Sequence, residues 1–247
     1  MRVEDHSKEI VELREGLRRR VWDLLEERGV AIFPRPVHGR IPNFKGADEA
    51  AARLINGLKG KRIEAVFVNP DAPQAPVRRR LLEEGVKIYV STPRISKGFI
   101  LLDPHRIPRN SFGVASTISG MFKYGAVAHP SEMDFIDVFI AGSVVVDYRG
   151  GRLGKGEGYS ELEYSILSYF NLVDDRTLVV TTIHDLQLVD VEIPLMPWDL
   201  TVDFISTPTR TIWVSGRRQR PRTVECKLLP RRKILEIPLL KEICLKS

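Results

Sequence analysis

The sequence predicts an α/β fold, with one three-layer α/β/α domain over residues 1–215 and a basic extension over 216–247 packed on it or trailing from it. Three observations point there. The runs 63–68 and 86–90 are apolar throughout and rich in β-branched residues, the pattern of parallel strands covered on both faces. Helical stretches separate such runs, as βαβ connections require. Apolar residues make up 43% of the chain and charged residues 28%, a globular mix that excludes a mostly disordered protein.

In chain order, Ile10, Leu13, Leu17, Val21 and Leu24 recur at three and four and predict a helix over 8–28. Ser7 is placed to cap its start and Gly29 its end, and Trp22 reads as a packing residue on it. Pro34, Pro36 and Pro42 make the next stretch a loop. A second helix follows over 47–58, then a strand over 63–68 that ends at the turn Asn69-Pro70-Asp71. A helix over 75–84 closes at Gly85 and leads into the strand 86–90. Further strands are expected at 135–140, 143–146, 178–183, 202–205 and 211–214.

No apolar run approaches the roughly 20 residues that span a bilayer, and the charged start, Met1 to Lys8, is not a secretory signal. Cys226 and Cys244 are the two cysteines, and they read as reduced thiols of a cytoplasmic protein. The net charge of +6 suggests an anionic partner. The excess gathers between Gly216 and Lys233, where Arg217, Arg218, Arg220, Arg222, Lys227, Arg231, Arg232 and Lys233 face one acid, Glu225. That tail is either a solvated basic extension or a weak electrostatic contact for nucleic acid.

The segment that carries chemistry is Gly150-Gly151-Arg152-Leu153-Gly154-Lys155-Gly156-Glu157-Gly158-Tyr159, which follows a strand and opens a helix through Leu162, Ile166 and Leu167. Alternate glycines let several backbone N–H groups point one way, and a helix start adds its positive end, so the segment suits phosphate. Arg152 and Lys155 supply formal charge, and Glu161 in the first helical turn is a candidate magnesium ligand. The spacing is neither that of a Walker loop nor that of a dinucleotide fingerprint. A structural glycine turn is the competing reading.

Residues 151–159, followed by Leu178-Val179-Val180-Thr181-Thr182-Ile183-His184 and Asp199-Leu200-Thr201-Val202-Asp203, resemble the 5-formyltetrahydrofolate cyclo-ligase family. Phe33-Pro34-Arg35-Pro36-Val37-His38, Arg40-Ile41-Pro42-Asn43-Phe44-Lys45-Gly46, Leu162-Glu163-Tyr164 and Thr207-Pro208-Thr209-Arg210 extend the resemblance over about 14–214. It implies a Rossmann-like sandwich similar to the sugar-phosphate isomerases and coenzyme A transferases. It also implies ATP and magnesium acting on 5-formyltetrahydrofolate or a related pterin. On this pattern Arg14, Arg18, Arg152, Gly154, Lys155, Gly156, Gly158 and Tyr159 contact ATP, with Lys155 and Arg152 the catalytic cations. Glu161 and Asp203 hold magnesium, and Gln74 and Tyr159 meet the substrate.

Three departures from the pattern stand out. Ser160 replaces the second of two tyrosines, Glu161 replaces an aspartate, and Gln74 is the residue nearest to the place of an acid that orients folate. The last departure predicts weak cyclisation of 5-formyltetrahydrofolate, because a lost buried hydrogen-bond partner is costly. The alternatives are an ATP-dependent enzyme on another formyl or carboxyl substrate, and a nucleotide- or RNA-binding module. His184-Asp185 reads as a hydrogen-bonded structural pair, with acid–base chemistry the alternative. His38 and Arg40 belong to a structural loop or to the second substrate's pocket.

Overall fold

Four consecutive apolar residues form strand β1 (Ala65–Val68), and each is 0% exposed. Successive side chains of a strand point to opposite faces, so such a run needs a core on both sides. Ala65 and Phe67 enter one core with Tyr89, Phe99 and Phe139, while Val66 and Val68 enter the other with Leu54, Leu81 and Ile88. The structure, a computed structural model, describes residues 2–216 and 218–245, and for 2–7 the backbone alone. Arg217 of the basic tail lies outside the described residues.

The remaining strands are β2 (Lys87–Ser91), β3 (Phe99–Leu102), β4 (Ala126–Ala128), β5 (Val138–Ile140), β6 (Val145–Asp147), β7 (Arg152–Leu153), β8 (Leu178–Thr182), β9 (Leu188–Val189), β10 (Phe204–Ser206) and β11 (Thr211–Trp213). Eight of them make one sheet in the order β11-β10-β8-β5-β1-β2-β3-β4, and β7-β6-β9 make a small second sheet. Pairing is parallel from β10 through β8, β5 and β1 to β2, and antiparallel at β3, β4 and β11. Strands β3 and β4 fall where the sequence placed no element. Two of the three residues of β4 are exposed, so it carries no core pattern to read.

Helices α2 (Ala47–Gly57), α3 (Ala75–Glu83), α4 (Phe112–Ala115) and α5 (Ile118–Tyr124) cover one face through Leu54, Leu81, Phe112 and Met121. Helices α6 (Tyr159–Tyr169) and α8 (Pro238–Leu245) cover the other through Leu162, Ile166, Leu239 and Leu240. This is the expected three-layer sandwich. Helix α1 (Arg2–Glu27) buries Leu17, Val21, Trp22 and Leu25 against Val144, Val145 and Leu153 of the small sheet. It begins before Ser7, which therefore lies inside the helix rather than at its cap.

The tail corrects one expectation. Helices α7 (Arg231–Glu236) and α8 fold back so that Ile237, Leu240 and Ile243 enter the main core, and Cys226 and Cys244 are disulfide-bonded with Cα atoms 5.7 Å apart. The reading as free thiols took the end of the chain for a segment with little to staple. Its apolar residues instead pack into the core and bring the two sulfurs together, and a cytoplasmic location loses that support. The bridge closes an 18-residue separation, worth roughly 3 kcal/mol by loop entropy. Melting in the presence of a reductant is expected several degrees lower than without it, and a Cys226→Ser chain should melt at the lower temperature in both buffers.

Candidate functional site

The parallel strands β1 and β2 end side by side, and the residues that follow them line one cleft of about 320 Å³. Asn69, Pro70 and Asp71 come from the end of β1; Ser91, Thr92, Pro93 and Arg94 come from the end of β2. Strand β1 lies between β2 and β5, so the chain changes direction across the sheet at this point. Open α/β sheets bind ligands at such carboxyl ends.

The other wall is the glycine segment. Gly156 (φ 103°) and Gly158 (φ 69°) have left-handed backbones, which favour glycine, and Gly158 precedes the first turn of α6. Gly154, Lys155, Gly158, Tyr159, Ser160 and Glu161 all line the cleft, so backbone N–H groups and the positive end of an 11-residue helix border it. Lys155 is 35% exposed, with Nζ 2.8 Å from Glu157 Oε2. Arg40 and Arg94 add two further cations. Arg94 has φ 56° and Ile95 φ 57°, a left-handed pair of non-glycine residues, and such strain concentrates at functional sites.

Arg152 does not face the cleft. It is 0% exposed, its Nη1 donates to Gly142 O at 2.6 Å, its Nε reaches Leu200 O at 3.4 Å, and Nη2 pairs with Glu161. It braces the glycine segment instead of meeting a phosphate. Arg18 does reach that segment: its Nε donates to Gly154 O at 2.8 Å, and burial, then neighbouring Arg14, holds its guanidinium below the usual arginine range. Arg14 is committed to Asp199, with 2.9 Å between Nη2 and Oδ1.

The carboxylates expected to hold magnesium are not brought together. Glu161 borders the cleft with Arg152 on one oxygen. Asp203 does not line it: its Oδ2 accepts from Arg220 Nη2 at 2.5 Å and from the Val179 amide at 2.8 Å, and its Oδ1 lies 3.3 Å from Arg218 Nε. Among the described residues no cluster of three His, Cys, Asp or Glu side chains is arranged for a metal. The Glu161–Asp203 pair therefore does not fit the ion.

Gln74 does not line the cleft either. It is fully buried, its Nε2 is 3.4 Å from Thr182 Oγ1, and its Oε1 has no partner among the described residues. The acids at the cleft are others. Asp71 is half-buried, and burial pushes its carboxyl up while Lys155 and then Arg78 pull it down. Glu163 is 3% exposed; burial pushes it up to about 8, Asp71 and Glu161 add to the rise, and hydrogen bonds from Ser91 and Asn69 oppose it. Ser91 Oγ and Asn69 Nδ2 each donate to it at 2.5 Å. Asn69 Oδ1 in turn accepts from Ser160 Oγ at 2.7 Å and from the Gly142 amide at 2.8 Å. Ser160 thus ties α6 to the end of β1.

Arg78 fixes that end from behind. It is fully buried, with Nη1 donating to Asn69 O at 2.6 Å and Nε to Ser116 O at 2.8 Å, and burial pushes it down to about 10. From the tail, Lys233 donates to Glu157 O at 2.8 Å and lies 4.4 Å from the centre of the Tyr159 ring. Arg218, Arg220 and Arg232 pair with Asp203 or Glu236, so these tail cations serve the chain's own acids. His184 Nδ1 accepts from the Leu186 amide and Asp185 accepts from Thr207 and Thr209, so each is held structurally by other residues, rather than by the other as a bonded pair. His38 pairs with Asp23 outside the cleft, whereas Arg40 lines it.

Sequence reasoning missed Asp71, Ser91, Arg94, Glu163, Arg78 and Lys233. The rule that ligands meet the carboxyl ends of parallel strands would have found Asp71, Ser91 and Arg94. Glu163 carried a signal too, a charge between the apolar Leu162 and Tyr164 in a helix buried through 162–167. Nothing local announces Lys233, whose role depends on how the tail folds back.

The model of the 5-formyltetrahydrofolate cyclo-ligase family matches residues 10–208. The methenyltetrahydrofolate synthase domain-containing protein of Bos taurus is 36% identical over 233 residues, which cover 93% of this chain and 61% of the relative. Its Mus musculus counterpart is 36% identical over 233 residues, covering 93% and 63%. That of Danio rerio is 34% identical over 230 residues, covering 92% and 60%. The chain thus spans about six tenths of the length of these relatives.

Proposed function

Because the chain belongs to the 5-formyltetrahydrofolate cyclo-ligase family, we propose that its cleft joins ATP to a formylated reduced pterin and closes the 5,10-methenyl bridge. ATP supplies the phosphoryl group that turns the formyl oxygen into a departing phosphate, so the neighbouring nitrogen can form the ring bond. The chain's part is positioning and charge neutralisation. Backbone N–H groups of 154–158 and of the first turn of α6 cradle the phosphates, with Lys155 and Arg94 countering their charge and Arg18 holding the loop. Tyr159 and the floor around Asn69 and Ser91 orient the pterin. Magnesium would enter on the nucleotide's own phosphates, since Glu161 and Asp203 are apart, and no step above runs through it.

The observation that supports this reading is the meeting, in one cleft, of a cationic glycine-lined wall and a buried polar floor. Against the weak cyclisation expected from Gln74 stand the carboxyl groups of Asp71 and Glu163, which line the cleft and support turnover. ATP at 100 times its dissociation constant should stabilise the fold by about 2.7 kcal/mol, and adding 5-formyltetrahydrofolate should give the absorbance of the methenyl product at roughly 1 per second or faster. Absence of both the thermal shift and the product would sink the proposal.

A further inference from the structure

Glu163 is a buried acid on the cleft floor. Its carboxyl is 3% exposed, and among the described residues no cation pairs with it within ion-pair distance. A buried carboxyl without a cation is costly unless it is hydrogen-bonded, and such groups gather at functional sites. Ser91 Oγ and Asn69 Nδ2 take one lone pair on each oxygen. Burial favours the protonated form; once ionised, each oxygen keeps one more, so two adjacent acceptors then remain for a ligand. The supports are stiff: Asn69 is held by Ser160, by the Gly142 amide and, through its carbonyl, by Arg78.

We infer that Glu163 reads the ring of the substrate, its two oxygens accepting the paired N–H donors of a 2-amino-4-oxopyrimidine edge. That edge carries an exocyclic amine beside a ring N–H, which matches a carboxyl the way a guanidinium does. The inference rests on the cyclo-ligase reading for the choice of a reduced pterin. The same edge occurs on guanine, so the edge is the shared chemistry and the two sources are separated by experiment. Glu163 then does, from the second turn of α6, the work for which Gln74 is misplaced.

The test measures binding of tetrahydropterin, of its 2-oxo analogue tetrahydrolumazine and of guanosine to the intact chain and to Glu163→Gln. The wild-type chain should prefer tetrahydropterin to tetrahydrolumazine by at least about 100-fold, because the analogue sets an oxygen against an oxygen. Glu163→Gln should erase that preference while leaving the ATP-induced thermal shift unchanged. Equal binding of the two pteridines by the wild type, or binding of neither pteridine nor guanosine, would overturn the role of Glu163, and this arm does not depend on the variant folding. A preference for guanosine that Glu163→Gln abolishes would uphold the role of Glu163 and sink the folate reading. Retained preference in a folded Glu163→Gln chain that still makes methenyl product would do the reverse.

Discussion

Replacing Arg152 by alanine is expected to lower the melting temperature by on the order of 10 °C, whether or not nucleotide is present. The guanidinium is 0% exposed and serves three acceptors, the carbonyls of Gly142 and Leu200 and the carboxylate of Glu161. Truncation leaves Glu161 without its cation at 15% exposure and opens a cavity between the small sheet and α6. Breaking a buried pair from one side costs about 3–5 kcal/mol, since the remaining charge is uncompensated. Removing both charges should recover part of the loss, so the double change Arg152→Met, Glu161→Gln is expected to melt above the single alanine variant. Calorimetry of the three chains decides it: a shift under about 2 °C for Arg152→Ala would place the residue outside the brace.

Lys155→Ala is expected to do the opposite, leaving the fold intact and removing function. Its ammonium contacts Glu157 from a half-exposed position, so little stability depends on it. Against a polyphosphate it is the cation carried by the glycine segment itself, and charge developing on the transferred group would go unanswered. A lost electrostatic stabiliser of this kind lowers kcat/KM by roughly 100- to 1,000-fold. The ATP-induced thermal shift should shrink with it. An unchanged shift and rate would show that Arg40 and Arg94 suffice, and the phosphate role of Lys155 would fall.

The central sheet was legible because burial on both faces forces an unbroken apolar run, as in Ala65 to Val68. The edge strand β4 was not, since Ala126 to Ala128 needs no such run, whereas β3, Phe99 to Leu102, is such a run and was overlooked. At the site, the glycine segment was visible because left-handed turns select glycine. Its two arginines were legible as types and not as roles: Arg18 reaches the loop backbone, while Arg152 turns inward to Glu161. No local pattern distinguishes a cation that faces a ligand from one that neutralises a buried acid. Gln74 misled for a related reason. Order along a loop does not say which side chain the loop turns inward, and Arg78, gripping three carbonyls of 69–71, settles that turn in space.

The glycine segment is held by residues that are made at very different moments. Arg18, which bonds Gly154 O, is synthesised 136 residues earlier, whereas Lys233, which bonds Glu157 O, follows it by 76. At about 5–20 residues per second, a ribosome needs roughly 4–15 s to add that second partner after the loop itself. During that interval the nascent loop has its early anchor and lacks its late one, and the core facing α6 lacks Ile237, Leu240 and Ile243. Ligand bound in that window would meet a Tyr159 ring without Lys233 over it. The order of synthesis thus makes the tail the closing step of the site.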